Sequence, residues 1–242
     1  MSDGLLLIHA FPVDHRMWDA QRLGPRTIAP DLPGFGAAVP APGRVMSMDL
    51  AGQRCLEALD AAGLQRAVVC GSSMGGYVAM ALWRIAPERI AGLVLANTRA
   101  GADAPEAAQA RRALAARLRA EGNVLAEAPP PLLGPHASPE LQGRVRGWIA
   151  DQSPEAIAAA ALGMAERPDS TGDLASIAVP VLVITSDLDT IIPAPVSAPM
   201  AEQIPGAHLE LIEGVGHLSN LEASERFTRL LRAHCAACGV QP

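Results

Sequence analysis

Short runs of almost unbroken apolarity alternate along this chain with stretches whose apolar residues recur every three to four positions. The runs at residues 5–9, 27–30, 67–71, 91–96, 179–185 and 208–212 predict strands. Four of them carry hardly any polar residue, the pattern of parallel strands covered on both faces. Residues 49–62, 75–86, 196–203 and 221–238 have the helical period; the first three fall between strands and the last follows the final strand. Strand–helix alternation predicts an α/β fold with a mostly parallel sheet and right-handed crossovers.

One interval breaks the rhythm. Between residues 101 and 177 no strand pattern occurs, and residues 107–121, 140–151 and 154–167 read as helices separated by proline signals such as Pro129-Pro130-Pro131. This divides the chain into a core of residues 1–100 and 178–242 and a helical insert of residues 101–177. An insert of this length is either padding or a lid over whatever lies at the strand ends.

Composition narrows the function classes. The chain has 242 residues, 50% apolar and 18% charged, too apolar for a disordered chain and long enough to bury a sizeable core. No apolar run approaches the ~18 residues of a spanning helix. The net charge is −6, and all 19 basic residues are arginines scattered among acids. With only three Trp, three Phe and one Tyr there is no basic stripe with interleaved aromatics, so neither a nucleic-acid nor a membrane partner is expected. Met1-Ser2-Asp3-Gly4 leads straight into a strand pattern without a basic leader, so a cytoplasmic location is expected. Cys235-Ala236-Ala237-Cys238 has C-x-x-C spacing, but it lacks the strand–helix context of a redox motif and the second pair of a zinc site. No metal cluster or dinucleotide fingerprint is present, so no metal or other cofactor is implied.

The segment that carries chemistry is Val68-Val69-Cys70-Gly71-Ser72-Ser73-Met74-Gly75-Gly76. A strand ends, G-x-S-x-G follows, and a helix begins at once, the context that a nucleophile elbow requires. Small residues at 71 and 75 let chain segments pass closely while the turn lifts the Ser73 hydroxyl clear of the sheet. The same turn aims the Met74 N–H at a developing oxyanion, at the positive end of the helix. A serine hydroxyl needs a base. His217, in the glycine-flanked loop Gly214-Val215-Gly216-His217 after the last strand, is the candidate. His217 in turn needs an orienting carboxylate, and the turn after residues 179–185 offers Asp187 and Asp189. The loop after the first strand, His9-Ala10-Phe11-Pro12, offers the Phe11 N–H as a second oxyanion donor.

On these residues the sequence resembles the α/β-hydrolase superfamily, near its enol-lactonase-like, cofactor-free haloperoxidase-like and small carboxylesterase members. The matching segments are His9-Ala10-Phe11-Pro12, Asp31-Leu32-Pro33-Gly34-Phe35-Gly36, Gly71 to Gly76, Asp189 with Pro193, and Gly216-His217. The resemblance implies an α/β-hydrolase fold flanked by helices, with the insert as a lid. It also implies a triad of Ser73, Asp189 and His217. The acid is chosen because family members place it four residues before a proline, here Pro193, which leaves Asp187 as a turn residue. Two departures stand out. The family's N-terminal hairpin is missing, which leaves about six strands and an edge near residues 27–30 that invites pairing with a second copy of the chain. Ala10 also stands where the family has glycine.

The implied activity is cleavage of a small carboxylic ester or lactone through an acyl-enzyme. Trp148, Leu132, Leu133, Leu162 and Met164 of the insert are candidates for an apolar substrate pocket. A serine nucleophile argues against the related haloalkane dehalogenases, which use aspartate. The same triad also serves amidases, C–C hydrolases and perhydrolases, and some relatives act chiefly as small-molecule receptors with slow turnover.

Overall fold

The structure is a computed structural model that describes residues 2–242. Strands β1 (Asp3–Ile8), β2 (Thr27–Ile28), β3 (Arg66–Ser72), β4 (Ile90–Ala96), β5 (Val181–Ser186) and β6 (His208–Ile212) form one sheet. Its order is β2-β1-β3-β4-β5-β6, and every neighbouring pair is parallel. The chain reverses its direction of growth across the sheet between β2 and β3. The strands end together at one edge, with Ser72 opposite Ala96, and Ala96 opposite Ile184. In such a sheet the carboxyl ends of the central strands are where ligands bind.

Alternation along each strand builds two cores. Leu6, Ile8, Val69, Leu93, Leu95, Val181 and Val183 face one side, where helices α1 (Met48–Ala61) and α2 (Met74–Ile85) pack. Leu5, Leu7, Val68, Cys70, Val94, Leu182 and Ile184 face the other, against Met17, Trp18, Phe227 and Leu231. This burial on both faces is the physical reason β1, β3, β4 and β5 read as continuous apolar runs.

Four helices lie between β4 and β5: α3 (Pro105–Glu121), α4 (Val124–Glu127), α5 (Pro139–Ala150) and α6 (Pro154–Ala165). Prolines open α3, α5 and α6 in their first turns, where a missing N–H costs nothing. The Ser138 hydroxyl caps α5 by accepting the Leu141 N–H at 3.2 Å. Helix α6 joins the first core through Ile157 and Ala160, and α5 joins the second through Val145 and Ile149.

Two expected helices are broken. Residues 196–203 lie in α7 (Ala194–Ser197) and α8 (Pro199–Gln203), divided where Pro199 has no N–H to continue the ladder. Residues 221–238 fall in α9 (Ser219–Glu222) and α10 (Ser224–Ala237), divided at Ala223, whose φ of −119° leaves the helical region. The strand expected over 27–30 is only two residues long, since Pro30 cannot donate to a ladder, and it forms one edge of the sheet. A 3-10 helix at His15–Gln21 buries Met17 and Trp18. No helix among the described residues is long and apolar enough to cross a membrane.

Candidate active site

The turn after β3 puts Ser73 at the amino end of α2 with φ 53° and ψ −114°. Only Ser73 and Asn97 have positive φ among the described non-glycine residues. Such a conformation is costly for a side-chain-bearing residue and persists only where the surroundings enforce it. They do so here: the Ser73 N–H donates to the Ala96 carbonyl at 2.9 Å, and the Thr98 hydroxyl donates to the Ser73 carbonyl at 2.8 Å. The flanking glycines are sterically required. A Cβ on Gly71 would stand 2.2 Å from the Gly75 carbonyl oxygen, and one on Gly75 would stand 2.1 Å from the Ile8 carbonyl oxygen. The second contact brings the start of α2 against the chain that leads out of β1 into Phe11.

Asp189 follows β5 by three residues, and its carboxylate accepts four hydrogen bonds. Oδ1 takes the Ile191 and Ile192 N–H groups, each at 2.9 Å. Oδ2 lies 2.7 Å from His217 Nδ1 and takes the Asn97 amide at 3.0 Å. Asp189 and His217 are 3% and 1% exposed. Burial alone would raise the Asp189 carboxyl. The hydrogen bond and charge of His217, with the Ile192 N–H and the Asn97 amide, outweigh it and hold the group below the usual carboxylate range.

The loop that carries His217 is fastened on several sides. Asp187 Oδ1 accepts the Gly214 N–H at 2.7 Å, and the Leu188 N–H donates to the Val215 carbonyl. Glu222, from α9, accepts the Gly216 N–H with one oxygen and the Gly134 N–H with the other, both at 2.9 Å. The Leu218 N–H donates to the Leu132 carbonyl at 3.0 Å. A Cβ on Gly216 would lie 2.3 Å from the Gly134 nitrogen, so backbone meets backbone there. Burial pushes the Glu222 carboxyl above its usual range despite the two N–H groups.

On the opposite side, His9 is fully buried. Its Nε2 accepts the Leu32 N–H at 3.0 Å, and its Nδ1 lies 3.0 Å from the Ala10 carbonyl. Burial lowers its pKa, which leaves a neutral ring that donates from Nδ1. His9 thus ties the loop of Phe11 to the segment that begins at Asp31. Ala10 stands in for glycine without strain, because its φ is not positive. The Phe11–Pro12 peptide is cis. Met74 opens α2, so its N–H has no partner within the helix.

The insert residues separate. Leu132 is buried in the second core beside Val215 and Leu218, and Leu133 packs at its margin. Both border a cavity of about 330 Å³ between residues 129–135 and α5. Trp148 lies against the same core, with Arg16 and Arg144 over its ring at 5.9 and 5.6 Å. Leu162 and Met164 belong to the first core, and Met164 is buried there. Asn97 and Glu222 were missed by sequence reasoning. The only trace of either is a polar residue directly after an apolar strand and a glutamate shortly after the histidine.

Asp14, His15 and Asp31 alone among the described residues bring three ligating atoms close enough to hold a cation. Asp14 is already paired with Arg16 at 2.7 Å, and Asp31 Oδ1 takes both His15 Nδ1 and the His15 N–H. The four cysteines are free, and burial pushes the Cys235 thiol up to about 12.

Residues 5–230 match the profile of the alpha/beta hydrolase family. The chain is 31% identical to a 2-hydroxymuconate semialdehyde hydrolase of Pseudomonas putida, over 85% of this chain and 75% of that one. It is 30% identical to 3-oxoadipate enol-lactonase 2 of Acinetobacter baylyi, over 84% of this chain and 76% of that one. Among solved structures it resembles a thermophilic esterase from Thermogutta terrifontis, determined with malate bound, with 40% identity and a TM-score of 0.92 over 98% of this chain and 92% of that one. The enol-lactonase of Burkholderia xenovorans LB400 superposes with a TM-score of 0.88 at 25% identity, over 98% of this chain and 92% of that one. With its parallel six-stranded sheet, its strained serine turn and a match over nearly its whole length, the chain belongs to the alpha/beta hydrolase family.

Proposed function

We propose that the protein is a serine hydrolase that cleaves a small, uncharged or weakly polar carboxylic ester or lactone through an acyl-enzyme. The observation that carries this reading is the placement of Ser73 in a left-handed turn at the end of β3, beside the strand-end residue Asn97 that holds the buried Asp189–His217 pair. In the proposed reaction the Ser73 hydroxyl attacks the carbonyl carbon while His217 Nε2 takes its proton. Asp189 fixes His217 with its proton on Nδ1 and stabilises the imidazolium. The N–H groups of Phe11 and Met74 receive the negative charge on the carbonyl oxygen. His217 then gives its proton to the departing alkoxide, and water, deprotonated by the same imidazole, releases the acid and restores Ser73.

Relatives support a hydrolase without choosing the bond: they include the esterase and the enol-lactonases, which favour an ester or lactone, and the semialdehyde hydrolase named above, which does not. Residues 101–177 serve as a lid in this reading, held to the histidine loop by Leu132 and by Glu222 through Gly134. The test is a panel of short-chain p-nitrophenyl esters, lactones and anilides, run on wild type and Ser73→Ala. Multiple turnover on esters or lactones that disappears in the variant is the expected result. A single slow turnover would point to a receptor, and a strong preference for highly charged substrates would overturn the substrate class.

A further inference from the structure

Asn97 occupies the first position after β4, where its N–H donates to the Ile184 carbonyl at 2.8 Å and its φ is 46°. Its side chain is fully buried, yet almost every hydrogen-bonding site on it is used. Nδ2 donates to Ser186 Oγ and to Asp189 Oδ2, both at 3.0 Å. Oδ1 accepts the Ser219 hydroxyl at 2.6 Å. The direction of the amide is set by chemistry: with its two ends exchanged, the amide oxygen would face the Asp189 carboxylate, acceptor against acceptor.

The three partners belong to the two segments that hold the acid and the base. Ser186 ends β5, Asp189 lies in the loop after it, and Ser219 stands two residues beyond His217 at the start of α9. One amide therefore spans the gap between the loop of the acid and the loop of the histidine. It also shares Asp189 Oδ2 with His217, while the other carboxylate oxygen is held by backbone alone. Ser73 is tied to the same place, since its N–H donates to Ala96 and its carbonyl accepts from Thr98, the neighbours of Asn97 on either side.

We propose that Asn97 is a positioning residue for the Asp189–His217 pair, its amide clamping the acid loop to the histidine loop so that Asp189 Oδ2 meets His217 Nδ1. This rests on the reading of Ser73, Asp189 and His217 as the triad. An apolar side chain at 97 would leave Oδ2 with a single donor and let the carboxylate turn about its own axis. A carboxylate at 97 would place a second negative charge against Asp189. The further titratable group that acts on the pair is Glu222 from α9.

Two variants separate positioning from packing. Asn97→Gly keeps a backbone at home with positive φ and deletes only the amide. Its kcat for p-nitrophenyl acetate should fall by about 10- to 100-fold with KM within about twofold, the signature of misplaced rather than missing machinery. Asn97→Asp sets a second carboxyl against Asp189; two carboxylates at that distance do not both stay ionised, so the variant can donate to Oδ2 only while protonated and its kcat should fall as pH rises, where wild type does not. Rates are normalised to the fraction of molecules that a fluorophosphonate labels. Wild-type kcat in Asn97→Gly, or a wild-type pH profile in Asn97→Asp, would overturn the proposal. Should both fail to fold, Ser219→Ala decides: it frees the amide oxygen, and a severalfold loss in kcat with unchanged KM supports the clamp, whereas wild-type kcat refutes it. Failure of the triad reading looks different. There Ser73→Ala would keep its turnover, whereas a dead Ser73→Ala beside a fully active Asn97→Gly sinks the clamp alone.

Discussion

Replacing Asp189 with asparagine tests the hydrogen-bond arrangement that the structure assigns to the pair. The carboxylate presents only acceptors, and all four of its partners are donors: the N–H groups of Ile191 and Ile192 on Oδ1, and Asn97 Nδ2 with His217 Nδ1 on Oδ2. An amide has one oxygen. Its best orientation keeps that oxygen on the two backbone N–H groups, which puts the new NH₂ where Oδ2 stood. There it faces the Asn97 amide donor and His217 Nδ1. The imidazole can accept from it only by moving its own proton to Nε2, the nitrogen that takes the Ser73 proton in the proposed reaction. Asp189→Asn therefore traps the wrong tautomer while leaving shape and volume nearly unchanged. The loss should be about 10⁴ in kcat, as for the corresponding change in other serine triads, or roughly 5.5 kcal/mol of barrier. Turnover of p-nitrophenyl acetate by protein shown to be folded by circular dichroism measures it. Activity within tenfold of wild type would refute the reasoning, as would a larger loss in Asp187→Asn.

Asp187 itself accepts one N–H, from Gly214, and is exposed, so Asp187→Ala should cost about 0.5–1.5 kcal/mol of stability. In thermal melts this is a fall of about 1–6 °C in Tm, with turnover changed no more than severalfold. Gly75→Ala drives a methyl against the Ile8 carbonyl, a rigid backbone atom, and should cost about 1–3 kcal/mol as overpacking, about 2–12 °C in Tm. Its kcat should fall as well, since the displaced chain leads to Phe11. Burial works to raise the Asp103 carboxyl, but Arg111 and Arg167 beside it hold it below the usual range. A carboxylate lowered in the folded state stabilises the fold above the ordinary carboxylate pKa of about 4, and that contribution is lost as pH falls through the lowered value. Tm should therefore drop from pH 5 to pH 2 more steeply in wild type than in Asp103→Asn; equal slopes would contradict this.

Strands β1, β3, β4 and β5 were legible in the sequence because strands buried on both faces must be apolar throughout, and the elbow because Gly71 and Gly75 face backbone atoms that no Cβ could approach. The family resemblance, through the proline at 193, favours Asp189 over Asp187, and Asp189 is the one that lies against His217 Nδ1. What stayed hidden depends on convergence in space. Asn97, Ser186 and Ser219 are ordinary polar residues at strand and helix ends until three segments meet. Glu222 reads as a surface helix residue, yet it joins Gly134 to Gly216 across 82 positions of sequence. Size and apolarity say that an insert side chain is covered but not by what. Met164 is accordingly covered by the first core and Leu132 by the second. Helix breaks at Pro199 and Ala223 were masked by an amphipathic period that continues across them.

The central claim is that Ser73 is the nucleophile, and the most direct measurement is the mass of the intact protein after reaction with a fluorophosphonate, followed by peptide mapping. Only Ser73 lies on the left-handed turn, while its neighbour Ser72 belongs to β3. The account predicts one adduct per chain, on Ser73, absent from Ser73→Ala and retained in Ser72→Ala. Labelling that persists in Ser73→Ala, or adduct mass on Ser72, would contradict it.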